Sequence, residues 1–161
     1  MAVIPTAALG AGGVEVTRLG LGCAPLGNLF AALSDDHAAA TVTAAWDAGI
    51  RYFDTAPLYG HGLSERRLGR ALQAYPREEF VVSSKVGRLL RSDPDYDPGA
   101  FRVPRGLAPQ FDYSRDGVLR SIEESLDRLG LDRLDVVLVH DPDDHEQDAL
   151  DGAFQIGRAH V

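Results

Sequence analysis

Four side chains of types that suit proton-coupled hydride transfer stand at or just beyond the ends of apolar segments. Asp54 and Tyr59 follow the apolar run from Ile50 to Phe53, and Lys85 and His140 end the next two runs in the same way. An unperturbed tyrosine has a pKa of about 10, so it needs help to exchange a proton near pH 7. A lysine ammonium stabilises a phenolate, a carboxylate keeps that lysine charged, and a histidine can hydrogen-bond the substrate oxygen. Since no side chain carries a hydride, this chemistry requires a nicotinamide cofactor.

Each of these residues also has an ordinary structural explanation. Asp54 could cap the following turn, Tyr59 could be a half-buried aromatic residue, and Lys85 could be a surface lysine. His140 could start the turn that reaches Pro142. Together they favour a functional site, because the carboxyl ends of parallel strands lie at one end of a sheet.

Strand-like and helix-like segments alternate along the chain. Four apolar runs are predicted to form core strands: residues 18–22, 50–53, 80–85 and 134–139. The alternating residues Val14 to Thr17 follow two glycines and predict a short hairpin with the preceding segment. Continuous apolar strands alternating with helices predict a parallel sheet covered by helices.

Three helices are predicted between the strands, and a fourth is indicated within residues 150–154. Each of the three begins at a serine placed as an N-cap: Ser34, Ser64 and Ser114. Apolar residues recur at helical spacing in all three. Gly49 and Gly130 are placed to end the first and third helices.

Two architectures are compatible with this pattern. A dinucleotide-binding open sheet would place three glycines after its first strand, but Gly20 and Gly22 are followed by Pro25 where the third would fall. A (β/α)₈ barrel places its chemistry at the carboxyl ends of the strands. Asp54, Lys85 and His140 fit the second arrangement.

One long segment, residues 87–113, shows no periodicity and contains four prolines. A loop of this length in a compact domain is usually either a functional lid or disordered. A lid is favoured because the segment begins two residues after Lys85.

The composition fits one globular domain. The chain has 161 residues, is 45% hydrophobic and 25% charged, and carries a net charge of −8. No basic cluster stands out, so we expect neither nucleic acid nor membrane surfaces as partners. Met1 to Pro5 lacks the cationic region of a signal peptide, and no window approaches the roughly 20 apolar residues of a membrane span. With the single Cys23 compatible with a reducing cytosol, we expect a soluble cytoplasmic protein.

No metal site is expected. The other imidazole and clustered acidic side chains show no ligand spacing: His37, His61, His145, Asp141, Asp143 and Asp144. Cys23 and Ala24 follow the first strand and are candidates to line a nicotinamide pocket, although packing as a small core pair is the favoured interpretation.

The spacing of Asp54, Tyr59, Lys85 and His140, with the motif Tyr-Gly-x-Gly-x-Ser-Glu starting at Tyr59, resembles the aldo-keto reductase superfamily. The resemblance covers residues from about 14 to 154. Residues 111–143 are similar to the branch that holds D-threo-aldose 1-dehydrogenases, L-fucose dehydrogenases and pyridoxal 4-dehydrogenase-like enzymes.

The resemblance implies the N-terminal half of a (β/α)₈ TIM barrel that binds NAD or NADP and a small sugar or aldehyde substrate. Tyr59 would be the general acid/base, Lys85 the ammonium that favours its phenolate, Asp54 the lysine's counter-ion and His140 the residue that orients the substrate. Sugar oxidation at such a site yields a lactone. Asp54 is also a candidate cofactor contact, with Cys23 and Ala24.

The resemblance leaves other functions open. Potassium-channel β-subunits resemble the same superfamily and retain these four residue types as regulatory binding proteins. A small complete α/β domain without catalysis is a third interpretation.

The length of the chain affects what it is expected to do. A full barrel typically needs about 250 residues, so we expect residues 1–154 to form half of one, with its first and fourth strands as open edges. The family's main phosphate-binding loops follow later strands, and the chain alone is expected to be inactive. Residues 155–161 do not continue a helical stripe and can be encoded by DNA containing the start of a sequencing adapter. We therefore expect them to be a translated adapter.

Overall fold

The computed structural model describes residues 4–158. The expectation about a signal peptide falls partly on residues 1–3, and the expected adapter-derived tail includes residues 159–161, which lie outside the described residues. In chain order the elements are β1 (Thr6–Leu9), β2 (Val14–Thr17), β3 (Leu21–Gly22), α1 (Asp35–Asp47), β4 (Tyr52–Asp54), α2 (Leu63–Leu72), β5 (Val81–Val86), β6 (Arg88–Asp93), β7 (Gly106–Phe111), α3 (Arg115–Leu129), β8 (Val136–Val139), α4 (Glu146–Asp151) and α5 (Ala153–Arg158).

A four-stranded parallel sheet with the order β3-β4-β5-β8 forms the centre of the fold. The register places Asp54 beside Ser83, and Lys85 beside Leu138, so the carboxyl ends of the strands meet at one end of the sheet. The predicted α/β fold with a parallel sheet is confirmed. So is the predicted hairpin, in which β1 and β2 pair antiparallel.

Side-chain alternation along the strands separates the core from the opposite face of the sheet. Phe53 and Val82 are fully buried in an apolar core with residues of α1, α2 and α3. Successive side chains of a strand point to opposite faces. Asp54 is one residue after Phe53, and Lys85 is three residues after Val82. Both side chains therefore project from the opposite face, which the helices leave uncovered.

Two of the three predicted helix starts are confirmed. The Ser34 side chain accepts a hydrogen bond from the His37 N–H at the start of α1, and Ser114 accepts one from the Gly117 N–H at the start of α3. These bonds satisfy N–H groups that lack partners within the helix. Gly130 ends α3 in the left-handed conformation with φ 64°, as predicted.

The predicted N-cap at Ser64 is wrong. Helix α2 begins at Leu63 after Gly62, and Ser64 lies buried within its first turn. The Ser64 hydroxyl donates to the Cys23 carbonyl (2.7 Å) and lies 2.9 Å from the Thr55 hydroxyl. It therefore ties α2 to two neighbouring segments and does not cap its own helix.

The sequence predicted irregular structure throughout residues 87–113, but Arg88–Asp93 and Gly106–Phe111 pair as the antiparallel hairpin β6–β7, with residues 94–105 as the connecting segment. The tip of this hairpin binds the backbone of another loop, since Phe30 N–H donates to Ala100 O (2.8 Å) and Arg102 N–H donates to Asn28 O (2.9 Å). The pairing even includes Pro109, opposite Leu90. The sequence pattern did not predict the hairpin for two reasons. One strand contains a proline, which is uncommon in strands, and the tip is held by contacts with residues far away in the sequence.

The two outer strands of the sheet are shorter or more exposed than the buried strands that the sequence predicted. The first core strand spans only Leu21–Gly22, and Leu19 before it is 59% exposed. At the other edge, Val137 and Leu138 of β8 are each 41% exposed. Both are the outer strands of the described sheet, so each has a neighbour on one side only.

The last helical region is longer than predicted and is interrupted. Helices α4 and α5 are separated at Gly152, where an added Cβ would lie 1.9 Å from the Tyr113 carbonyl oxygen. Helix α5 continues to Arg158, beyond the helical segment that the sequence indicated within residues 150–154. The origin of residues 155–161 stays a prediction. Within residues 4–158, every helix is too short or too polar to cross a bilayer.

Candidate active site

The structure brings the four predicted site residues together at the carboxyl end of the sheet. Asp54 is the last residue of β4, Lys85 is near the end of β5, and His140 directly follows β8. Tyr59 stands in the loop before α2. The Lys85 Nζ lies 2.7 Å from Asp54 Oδ2 and 4.7 Å from the centroid of the Tyr59 ring. The rings of Tyr59 and His140 meet edge to face at 5.7 Å between centroids.

Lys85 is held as a charged group. Its side chain is 12% exposed, and Nζ donates to Asp54 Oδ2 (2.7 Å) and to the Thr55 carbonyl (3.0 Å). Burial alone would lower the pKa of this ammonium, but its interactions with Asp54 and Tyr59 outweigh burial and raise the pKa above the usual value. The lysine therefore presents a positive charge to the Tyr59 ring at neutral pH.

Ser83 completes this arrangement and was missed by the sequence interpretation. Its hydroxyl donates to Asp54 Oδ1 (2.6 Å) and lies 3.1 Å from the Tyr52 hydroxyl. With Lys85 on Oδ2, both carboxylate oxygens of Asp54 are bound. The signal for Ser83 is its place two residues before Lys85, which puts both side chains on one face of β5.

Two glycines fix the loop that carries Tyr59. A Cβ added to Gly27 would lie 2.5 Å from the Tyr59 carbonyl carbon, and one added to Gly60 would lie 2.3 Å from the Gly27 carbonyl oxygen. Gly60 also adopts φ 62°, which side-chain-bearing residues rarely adopt. The peptide that joins Tyr59 to Gly60 is thus packed without space against Gly27, at the end of the short turn from Ala24 to Gly27.

The β6–β7 hairpin supplies another wall of the site. The ring of Phe101, near its tip, lies 6.3 Å from the Tyr59 ring, measured between centroids. Sequence periodicity could not identify Phe101, because the tip is positioned by hydrogen bonds to residues 28–30. A lid role for this segment stays a prediction, although the hairpin does stand beside Tyr59.

His140 is a buried neutral imidazole. It is 4% exposed, and burial together with the nearby Arg88 lowers its pKa to about 4. Its Nε2 lies 3.5 Å from Asp141 Oδ2, while Nδ1 is buried without a hydrogen-bond partner among the described residues. The Tyr113 hydroxyl donates to the His140 carbonyl (3.3 Å) and helps to hold this backbone. A neutral ring can both donate and accept a hydrogen bond, as orienting a substrate oxygen requires.

Cys23 and Ala24 have different surroundings from the other candidates. Cys23 is fully buried in the apolar core, and burial followed by the nearby Asp54 raises the pKa of its thiol to about 12. The packing explanation is therefore the better supported one for Cys23. Ala24 is half-buried at the start of the turn that supports the Tyr59 loop. A cofactor contact by either residue stays a prediction.

Glu65, the last residue of the Tyr59 motif, is a structural acid. It is fully buried, accepting hydrogen bonds from the Ser84 hydroxyl (2.8 Å) and from Arg128 Nε (2.5 Å). It thereby joins α2 to β5 and α3 directly behind the site. The motif thus combines the candidate acid/base Tyr59 with residues that fix the position of its loop.

A cavity of about 740 Å³ opens beside Lys85 and His140. Apolar side chains from α3, β8 and α5 line most of it, including Val118, Leu138 and Phe154. Because β8 is an outer strand of the described sheet and Tyr59 does not line this cavity, the apolar wall belongs to that open edge, and only Lys85 and His140 connect the cavity to the site. The lysine, the neutral imidazole and the nearby phenol suit the oxygen of a carbonyl or alcohol.

Comparison with known proteins agrees with this geometry. The model of the aldo/keto reductase family matches residues 18–156. The D-threo-aldose 1-dehydrogenase of a Pseudomonas species is 54% identical over 154 residues, covering 91% of this chain and 47% of that enzyme. The pyridoxal 4-dehydrogenase of Microbacterium luteolum is 46% identical over 145 residues, covering 83% of this chain and 42% of that enzyme. The chain spans about half the length of the curated relatives it matches.

Solved structures share the fold. A holo-form aldo-keto reductase from Bacillus halodurans superposes with a TM-score of 0.72 at 26% identity, covering 95% of this chain and 46% of that one. An aldo-keto reductase from Klebsiella pneumoniae in complex with NADPH gives a TM-score of 0.57 at 27% identity, covering 80% and 36%. This chain therefore corresponds to about half of such a barrel.

Proposed function

Because the chain belongs to the aldo/keto reductase family, a family of oxidoreductases, we propose that its site serves hydride transfer between NAD(P) and the hemiacetal of an aldose. The observation that carries the proposal is the position of the Lys85 ammonium, bonded to Asp54 at 2.7 Å and 4.7 Å from the Tyr59 ring centroid. The aldose is proposed from the 54% identical relative, and the M. luteolum enzyme makes pyridoxal the alternative substrate.

Each site residue has one task in this proposal. The phenolate oxygen of Tyr59 takes the proton of the anomeric hydroxyl, and the Lys85 ammonium stabilises that phenolate. The neutral His140 hydrogen-bonds the same substrate oxygen. The nicotinamide, when bound, accepts the hydride that leaves the anomeric carbon, which makes the product a lactone. Asp54 keeps Lys85 charged throughout.

The residues of this chain fit one end of such a cofactor site. The buried His140 with an unpartnered Nδ1, together with Lys85, suits the substrate oxygen that exchanges the proton, next to the carbon that gives up the hydride. Asp54 and Ala24 are the candidate contacts to the nicotinamide part. The proposal assigns the phosphates to segments beyond this half of the barrel, and we propose that the 161-residue chain alone does not turn over substrate. Measurable NAD(P)-dependent oxidation of L-fucose by the purified chain would contradict this last point.

A chimera provides the direct test. Residues 18–154 of this chain replace the matching segment of the Pseudomonas D-threo-aldose 1-dehydrogenase, and NAD(P)H formation is followed with L-fucose, other aldoses and pyridoxal. The chimera is expected to oxidise an aldose, and Tyr59→Phe is expected to lower kcat by roughly 10²–10⁴-fold. Tyr75→Phe is the matched control, because Tyr75 stacks on Trp46 away from the site.

Two results would count against the proposal. A Tyr59→Phe chimera with unchanged kcat would remove the proposed acid/base. A folded chimera that binds NADPH but oxidises neither aldoses nor pyridoxal would favour the alternative of a non-catalytic binding subunit.

A further inference from the structure

A separate cavity of about 330 Å³ lies between the loop that follows Tyr59 and the β6–β7 hairpin. Its lining includes Gly60, His61, Leu63 and Arg66 on one side and residues 103–107 on the other. The hydride-transfer chemistry proposed above uses none of these side chains, so their grouping calls for a separate explanation.

The cavity gathers positive charge that no carboxylate neutralises. Arg66 and Arg105 both line it, and neither forms an ion pair with a described carboxylate. Among residues 4–158, Arg105 donates only to the Asp95 carbonyl (3.3 Å). Seven other arginines each lie within 4.0 Å of a carboxylate and five further described arginines do not, so what sets Arg66 and Arg105 apart is that they line one cavity together. Glu65, next to Arg66 in sequence, is already bound by Ser84 and Arg128.

His61 is a buried polar side chain without a partner in this cavity. It is 4% exposed, and its Nδ1 is buried without a hydrogen-bond partner among residues 4–158. Its ring packs 5.6 Å from Tyr96 and 6.5 Å from Phe101, measured between centroids. Leaving a buried polar group unpaired costs free energy, so an unpaired imidazole lining a cavity indicates a missing partner.

The start of α2 adds to the positive potential. The helix has 10 residues and begins at Leu63 after Gly62. The Leu63 and Ser64 N–H groups already donate to the Gly60 and Tyr59 carbonyls, so this end contributes its dipole and not free donors. Helix N-termini carry a partial positive charge and favour anions. Leu63 itself lines the cavity, so this end of the helix lies at the same place as the two arginines.

We propose that this cavity binds a small oxyanion, a phosphate or carboxylate group, held by Arg66 and Arg105 with His61 as the third contact. Guanidinium groups match the geometry of both anions. The volume of about 330 Å³ is at the small end of ligand sites, which suits a phosphate monoester and excludes a whole dinucleotide. Since Gly60 lines the cavity and directly follows Tyr59, the anion is either free or a charged substituent of the molecule that reacts at Tyr59.

Titration of the 161-residue chain with inorganic phosphate tests the proposal. Calorimetry gives the affinity, and the imidazole NMR signals of His61 report the place of binding. Arg66→Gln and Arg105→Gln are each expected to weaken binding by about 10-fold or more, the effect of losing one charge-assisted hydrogen bond. Arg120→Gln is the matched control, because Arg120 is an exposed helix arginine without an ion pair to any carboxylate that the structure describes. Circular dichroism checks that each variant is folded, and the chimera described above serves as a second carrier of the cavity.

The outcomes separate clearly. Binding that weakens in the two cavity variants but not in Arg120→Gln, with shifted His61 signals, supports the site. An aldose phosphate that binds more tightly than inorganic phosphate assigns the anion to the reacting molecule, and equal affinities assign it to a free anion. Absence of phosphate binding, or binding that is equal in all variants, would overturn the proposal. This readout involves no turnover, so it stands or fails separately from the proposed hydride transfer.

Discussion

Replacing Asp54 by Asn is expected to lower the pKa of Lys85 substantially. In the folded chain the Asp54 carboxylate lies 2.7 Å from the Lys85 Nζ, and the lysine side chain is 12% exposed. Without the carboxylate, only the interactions with Tyr59 still oppose burial, which lowers a lysine pKa. The pKa of Lys85 in the variant is therefore expected to fall from its raised value.

The size of this effect follows from the hydrogen bond that is lost. A hydrogen bond between charged groups contributes about 1.5–3 kcal/mol, so Asp54→Asn should remove about that much of the free energy that favours the charged form of Lys85, and the Lys85 pKa should fall. Ser83→Ala removes only the bond to the other carboxylate oxygen, at 2.6 Å, and is expected to lower the pKa by less than Asp54→Asn.

The chain offers an unusually clean assay for this prediction. Of its 16 lysine and arginine residues, only Lys85 is a lysine. Labelling with ¹³C-lysine therefore gives one side-chain signal, whose chemical shift against pH reports the pKa directly. Asp97→Asn, at an exposed loop position, is the control and should leave the titration unchanged. A Lys85 titration that is the same in Asp54→Asn and in the wild type would refute the coupling on which the proposed site depends.

The free energy of unfolding at high pH depends on the same ion pair between Asp54 and Lys85. The pKa of Lys85 is raised in the folded chain, so the folded state holds this proton more tightly than the unfolded chain does. The resulting stabilisation is complete below the unfolded value of 10.5 and is lost as the pH rises through the folded value. The Asp54→Asn chain should lack this loss.

Two further predictions concern the folded chain itself. Gly69→Ala should destabilise it by about 2 kcal/mol in urea unfolding followed by Trp46 fluorescence, because the added Cβ would lie 1.9 Å from the Leu129 carbonyl oxygen. Arg70→Ala, on the exposed side of the same helix, should change stability by less than about 1 kcal/mol, and equal effects would contradict the packing argument. The pKa of His140 falls from 6.5 to about 4 on folding, so stability should be complete above pH 6.5 and decrease by roughly 3 kcal/mol towards pH 4. His140→Gln should flatten this dependence, and an unchanged slope would show that other groups cause it.

The part of the site that lies on strands was predictable from sequence. Asp54, Lys85 and His140 each follow an apolar run, and the rule that parallel strands end at one end of a sheet is enough to bring them together. The single lysine among so many arginines was a further signal, since it marks the one place where the chain uses a compact ammonium. The apolar runs reveal these strands because one face of each strand is buried against the helices, and that burial requires apolar side chains.

The part that depends on loops was not predictable in the same way. The order of residues 94–105 comes from backbone hydrogen bonds to Asn28 and Phe30, which are more than 60 positions away and leave no periodic trace. Ser64 looked like a cap because serine before an apolar run usually is one. Its hydroxyl binds Cys23 and Thr55 instead, a preference set by tertiary contacts that local sequence does not encode.

One turn connects the proposed hydride-transfer site with the proposed anion cavity. Gly60, His61 and Gly62 take positive φ angles of 62°, 50° and 83° in succession. Such a conformation is costly for a residue with a side chain, so His61 adopts it only because its surroundings hold it there. Tyr59 precedes this turn and faces Lys85, while His61 within it lines the cavity. An anion that fixes the His61 ring would therefore also restrict the backbone that carries Tyr59, and this gives the cavity a physical route to influence proton transfer.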